Sequence, residues 1–220
     1  STIGFFSFVS SCLFLYLLPP SQNFYSTTIN LSKFLKNFYL HVKNPFLCRM
    51  FIIGFILMGS FVTIFNYISY RLMIEPFFLS QSTIGLLSLI YLTGVYSSPK
   101  AGILIKQYHR KNILTLALFL MIMGIFITQH YNLFIIILGL IIFSSGFFAS
   151  HSIASSWVSS CTNFARVQAT SLYLFFYYLG SSVFGTFGGF FWFFWHWFGI
   201  SVFIVFMLLC AIFLSFRLNN

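Results

Sequence analysis

Residues 46–70 read FLCRMFIIGFILMGSFVTIFNYISY, and this stretch decides the class of the protein. At about 1.5 Å of rise per residue it is long enough to cross about 30 Å of hydrocarbon as a helix. Its only charge, Arg49, lies near the start. The second half carries Thr63, Asn66, Tyr67 and Tyr70, and Arg71 follows directly. Polar groups inside a membrane are costly and normally face protein or a water-filled cavity. The stretch therefore predicts a spanning helix whose far end is turned toward something polar.

Six further apolar segments flank it: 3–18, a short one ending at Pro19-Pro20, and 80–98, 112–128, 133–158, 167–191 and 198–216. The whole chain agrees with a membrane reading. Of its 220 residues 60% are hydrophobic and 5% charged, whereas a soluble globule carries about a quarter charged. Glu75 is the single acid. This excludes a carboxylate pair for glycoside hydrolysis and an Asp/Glu cluster for Mg²⁺ or Ca²⁺. Cys12, Cys48, Cys161 and Cys210 lie far apart with no C-x-x-C pair, so metal, redox and cofactor chemistry have no support and no enzyme is expected. The net charge of +10 is spread thinly between apolar runs, which speaks for a bilayer and against nucleic acid. The opening residue is Ser and no basic stretch precedes the first apolar run. No intact signal peptide is therefore expected, and the chain is expected to begin inside something longer.

Alternating the connections across the bilayer places Lys33, Lys36, Lys43, Arg49, Lys100, Lys106, Arg110, Lys111, Arg166 and Arg217 on one side, and only Arg71 on the other. By the positive-inside rule the first side is cytoplasmic, together with the linker and the C-terminus. Within the linker, Leu31, Phe34, Leu35, Phe38 and Val42 recur at three- and four-residue spacing with Lys33, Lys36, Asn37 and Lys43 between them. That spacing predicts a basic amphipathic helix on the anionic leaflet, ended by Pro45.

The segments 112–128 and 198–216 hold little that is polar beyond Thr115, Ser201 and Ser215, and read as lipid-facing on most sides. The other four are studded with Ser, Thr, Tyr, Asn, Gln and His. The order is polar, polar, apolar, twice over, as in a repeat-built transporter. Ser181, Gly185 and Gly189, with Gly180 and Gly188 beside them, and Gly146, Ser150 and Ala154 form small-residue stripes read as packing seams. His130, His196, Trp192, Trp195 and Trp197 read as an aromatic belt at the outer boundary.

Residues 54–63 (GFILMGSFVT), followed by Phe65-Asn66-Tyr67 and Tyr70-Arg71-Leu72, resemble the seventh helix of major facilitator superfamily transporters, in the YnfM-like bacterial inner-membrane branch. The stretches 91–94 (YLTG), 97–102 (SSPKAG), 146–155 (GFFASHSIAS) and 168–182 (QATSLYLFFYYLGSS) carry the same likeness. It implies an all-α fold of two six-helix halves that rock around a substrate between them. Here 1–18 would be the end of helix six, 19–45 a basic cytoplasmic linker, and 46–217 the C-terminal six-helix bundle. The partners implied are a small-molecule substrate, the bilayer and the N-terminal half, with the protein in the bacterial inner membrane. The superfamily's G-x-L-x-D-R-x-G-R-R/K loop motif keeps Gly102, Leu104, Arg110 and Lys111, but Lys106, Gln107 and His109 replace its acid, first Arg and second Gly. Loss of the acid removes the anionic partner of that charge relay.

Candidate substrate-cavity residues are Asn66, Tyr67, Arg71, His151, Tyr173 and Tyr177. Arg71 could draw an anion into the outer vestibule, or snorkel to headgroups, or pair with Glu75 one turn on. His151 is the internal group that titrates near neutral pH, or else a histidine bonded within the helix seam. Tyr173 and Tyr177, four apart, share a helix face and suit an aromatic-lined pocket. The expected function is secondary active transport, by the resemblance in the direction of export. The rival is a non-transporting truncated remnant.

Overall fold

A computed structural model describes residues 2–18, 31–162 and 164–218. The chain runs α1 (Thr2–Leu17), α2 (Leu31–Lys43), α3 (Pro45–Met73), α4 (Gln81–Gly85), a 3₁₀ helix (Leu86–Leu92), α5 (Thr93–Gln107), α6 (Arg110–Ile127), α7 (Leu133–Ser160) and α8 (Arg166–Phe216). Among the described residues there is no strand. Linker residues 19–30 lie outside them. By length and composition α3, α6, α7 and α8 can each cross a membrane. The chain divides into two units, Ser1–Phe34 and Leu35–Asn220. The first holds α1, whose apolar side chains Phe5, Phe6, Phe8, Phe14 and Leu17 are all exposed.

Local chemistry sets the helix starts. Asn44 caps α3: its Oδ1 accepts from the amides of Phe46 (2.9 Å) and Leu47 (3.2 Å), and Pro45 fills the first helical position, where an amide would be unsatisfied anyway. Asn132 caps α7 in the same way through the Phe134 amide (2.9 Å). In α2, residues 37 and 41 are the buried ones: Asn37 and His41 turn inward, with the His41 ring 6.0 Å from that of Phe164. Leu35, Phe38, Tyr39, Leu40 and Val42 are exposed. The outward side is mixed, with Lys36 and Lys43 exposed beside these apolar groups.

In the second unit α3 packs along α8, and α7 packs between α5 and α6. The core runs through Ile53, Leu57, Ile64, Leu118, Met121, Leu140, Phe143, Ile204 and Leu208. α3 and α8 approach most closely at Gly180, where a Cβ would fall on the carbonyl of Phe55. The buried stripe on α8 is therefore Gly180, Phe184 and Gly188. The expected seam of Ser181, Gly185 and Gly189 is offset by one residue, and Gly185 has nothing closer than 3.8 Å to an added Cβ. The second stripe, Gly146, Ser150 and Ala154, is buried as read.

Three other expectations change. Segment 80–98 is not one straight span: Leu86–Leu92 tightens into a 3₁₀ helix between Gly85 and Gly94, and α5 then continues through Pro99 to Gln107. Segments 167–191 and 198–216 are joined without a loop. The join, WFFWHW at 192–197, holds no Gly, Pro or short polar turn residue, so the break falls on His196 alone (φ 46°, ψ −137°). α6 is not lipid-facing on most sides. It buries Leu114, Leu118, Met121 and Ile125 and exposes Leu116, Phe119, Met123 and Phe126.

Candidate functional site

Three loci emerge from the residues singled out above. At the far end of α3, Asn66 is exposed and Tyr67 half-buried. They line a cavity of about 610 Å³ with Phe65, Ser69, Tyr70, Met73, Gln81 and Ile84. Tyr67 donates its hydroxyl to the carbonyl of Gly185 (2.9 Å), which ties α3 to α8 beside the cavity. The rings of Tyr67, Tyr70 and Trp192 lie about 6 Å apart in a triangle. The sequence pointed to Asn66 and Tyr67. It did not point to Tyr70 or Trp192 as their neighbours, because only the helix crossing brings Trp192 there.

The second locus joins α7 and α8. His151 Nδ1 lies 3.1 Å from the Tyr173 hydroxyl, and its ring sits 4.5 Å from that of Tyr177. Tyr173 is fully buried. It fits only because residue 54 of α3 is glycine: a Cβ there would meet the Tyr173 ring at 2.6 Å. From this pair a file of rings leads to the first locus. His151 stacks on Phe147 (6.2 Å), Phe147 on Phe61 (4.0 Å), and Phe61 and Phe65 bracket Tyr91 at 5.2 and 4.9 Å. Phe65 belongs to the outer cavity. The six predicted cavity residues thus fall in separate places: Asn66 and Tyr67 line the outer cavity, and His151, Tyr173 and Tyr177 form a packed cluster joined to its edge at Phe65 by buried rings.

Arg71 belongs to neither place. Its side chain is buried, and the guanidinium donates to the backbone carbonyls of Thr128, Gln129 (3.4 Å) and His130 (2.9 Å), just past the end of α6. Trp197 covers it at 5.3 Å and Phe77 at 5.9 Å. Trp197 is thus buried over Arg71, not a member of an interfacial belt. The last carbonyls of a helix carry its negative dipole end and want donors. In a chain with one acid they are the available anions.

The same chemistry recurs at the basic end. Lys111 Nζ donates to the carbonyl of Phe216 (2.6 Å), Arg49 to that of Arg217, and Arg110 to Ser160 Oγ (2.6 Å). Of the loop-motif residues, Gly102 has open space around it, while Arg110 and Lys111 are drawn to the ends of α7 and α8. Lys106 and Gln107, which stand where the motif has Asp and Arg, are exposed. Two pairs not foreseen from sequence reach α8: Thr115 of α6 with Ser215 (2.8 Å between hydroxyls), and Gln129, just past α6, donating to Ser201 (2.6 Å). Among the described residues no three His, Cys, Asp or Glu side chains gather into a metal site.

No family model matches the chain. Curated relatives do. It is 71% identical over 218 residues to an uncharacterized transporter of Buchnera aphidicola subsp. Schizaphis graminum, covering 99% of this chain and 53% of the relative. Over 220 residues it is 46% identical to the inner membrane transport protein YnfM of Escherichia coli, covering 100% of this chain and 53% of that protein. To the uncharacterized MFS-type transporter YybF of Bacillus subtilis it is 42% identical over 214 residues, 97% of this chain and 53% of the relative. The chain thus spans about half the length of the curated relatives it matches. With these relatives matched over nearly the whole of this chain and helices but no strand among the described residues, the chain belongs to the major facilitator superfamily, as the C-terminal half of that fold.

Proposed function

We propose that this chain supplies helices seven to twelve of a secondary active transporter that exports a small molecule by alternating access. Residues 1–18 would end helix six, 19–45 would form the basic cytoplasmic linker, and 46–217 the bundle, in a bacterial inner membrane with linker and C-terminus cytoplasmic. The observation that carries the reading is the cavity of about 610 Å³ at the far end of α3, where Asn66, Tyr67, Tyr70 and Gln81 stand beside the Phe65 ring. Its rings, hydroxyls and amides suit a substrate with flat apolar parts and a few polar ones, and the packed His151, Tyr173 and Tyr177 cluster supports the bundle behind it. In this reading Arg110 and Lys111 hold helix ends together on the cytoplasmic side, without an acidic relay. Arg71 acts on the cavity only through the position of α3.

A substrate site in this fold lies between halves, so the chain alone is expected not to transport. Everted vesicles containing only this chain, offered a panel of radiolabelled small molecules under a proton gradient, should show no uphill accumulation. Accumulation there would overturn the two-half site.

One observation favours a second reading, a remnant without transport: Lys106, Gln107 and His109 replace three motif positions. The intact mass of the native protein in its own membrane separates the two. A value about twice 25.4 kDa supports the transporter. A value near 25.4 kDa without a co-purifying partner supports the remnant.

A further inference from the structure

A cleft of about 470 Å³ opens between α5 and α6 with α7 as its floor. Its lining is Leu116, Ala117 and Leu120 of α6, Ser145 and Ala149 of α7, and the α5 face that carries Thr93, Ser97 and Lys100. A second apolar hollow of about 500 Å³ shares Thr93 and Tyr96 with it, and continues along the 3₁₀ helix to Leu133, Ile137 and Ile141 at the start of α7. Together they form one groove along the helices, from the loop holding Lys106, Arg110 and Lys111 to the opposite end. None of its lining residues belongs to the cavity at Asn66, nor to the His151 cluster.

The chemistry of the groove is graded. Leu116 and Leu120 at its mouth are exposed apolar groups on α6, a helix long and apolar enough to span a bilayer, where hydrocarbon is the solvent, and Tyr96 of α5 is exposed beside them. Lys100 is the lining cation, with Leu104 and Ile113 lining the cleft between it and the basic loop, and Glu75, the one acid, is not in the lining. The hydroxyls of Thr93 and Ser97 are buried with no hydrogen-bond partner. They are one helical turn apart on α5, with Lys100 about one turn further on. Buried hydroxyls normally find an acceptor. Lys100 and the two hydroxyls form a polar edge on α5 beside the apolar side chains of α6, as a phosphate and its ester carbonyls stand beside an acyl chain.

We propose that this groove holds an anionic phospholipid: its phosphate on Lys100, its ester carbonyls accepting from Ser97 and Thr93, and an acyl chain lying along Leu116, Ala117, Leu120 and Ser145. Lys100, the cation of the lining, with no acid in that lining, selects a net negative headgroup over a zwitterionic one. The site stands independently of the transport reading.

The test uses the chain in phosphatidylethanolamine nanodiscs doped with a phosphatidylglycerol that carries a photoreactive diazirine midway along one acyl chain. Crosslinked peptides should come chiefly from residues 93–100, 116–120 and 145–149. Lys100→Gln should lower that labelling about five-fold, the effect of one lysine beside an anionic membrane surface. Lys106→Gln, an exposed lysine outside the groove, should leave it unchanged. Ser97→Val should lower labelling without changing the melting of the protein. Labelling spread evenly over the exposed faces of α6 and α8 would overturn the proposal. So would equal loss in the two lysine variants, or equal labelling by a zwitterionic probe.

Discussion

Replacing Arg71 by Met keeps an unbranched apolar stem between Trp197 and Phe77 and removes every donor from the carbonyls of residues 128–130. Three bonds are lost, of which those to Thr128 and His130 are well placed and that to Gln129, at 3.4 Å, is weak. A hydrogen bond from a charged donor contributes about 1.5–3 kcal/mol net. Two such bonds, at the low end because residues 129 and 130 are partly open to solvent, set the expected loss at about 3 kcal/mol. Arg71→Lys keeps the charge but offers a point donor where a planar fork spans two residues, so it should recover about half of that loss. Reversible unfolding in mixed detergent and denaturant, followed by far-UV circular dichroism, reads both. Near-UV dichroism reports whether Trp197 leaves its buried site. If Arg71→Met and Arg71→Lys unfold like the parent, the clasp contributes nothing and Arg71 is only an interfacial anchor. In the complete transporter, Arg71→Ala is expected to weaken transport more than Lys111→Ala, because it frees the α3 end that carries Asn66 and Tyr67. Equal effects in a vesicle uptake assay would refute that route.

Gly180→Ala should abolish folded expression, since the new methyl meets the Phe55 backbone, while Gly185→Ala should express and melt like the parent. Size-exclusion profiles of fluorescent-protein fusions decide it, and the reverse result would restore the Ser181/Gly185/Gly189 seam. Tyr67→Phe should cost about 1 kcal/mol of unfolding free energy by losing its bond to the Gly185 carbonyl. No change on denaturant titration would show that bond to be exchanged with water at no net cost. Gly54→Ala should displace the Tyr173 ring and break its hydrogen bond with His151. Tyrosine quenching by an aqueous quencher should rise in that variant, and an unchanged value would show that the ring has room.

Much of the architecture was legible because membranes tie helix length to apolar run length. Segment 46–70 became α3 with its start fixed by Asn44-Pro45, and Gly146, Ser150 and Ala154 were buried as read. What failed was whatever depends on a neighbouring helix. A stripe of small residues marks close approach, yet which of two adjacent stripes faces the neighbour depends on a helix rotation that sequence spacing does not specify, and Gly180 rather than Gly185 took the contact. Trp197 looked like its belt neighbours Trp192 and Trp195 until the Arg71 cation drew it inward. Thr115 and Ser215 looked like stray polar groups because their partners lie 100 residues away. At the candidate site the residue types at 66, 67, 151, 173 and 177 were legible from their polarity, whereas the phenylalanines that connect them were indistinguishable from the rest of a Phe-rich chain.

The cations of this bundle take backbone carbonyls as partners at Thr128, His130, Phe216 and Arg217. That choice has a genetic consequence. A salt bridge offers mutation two targets, and either codon change breaks it. Here one side of each clasp is the peptide chain itself, present whatever residue is encoded at 128, 130, 216 or 217. Such a helix end can drift in sequence, Leu to Phe or Val to Ile, without losing its tether, so the vulnerability of the clasps is confined to three codons, those for Arg49, Arg71 and Lys111.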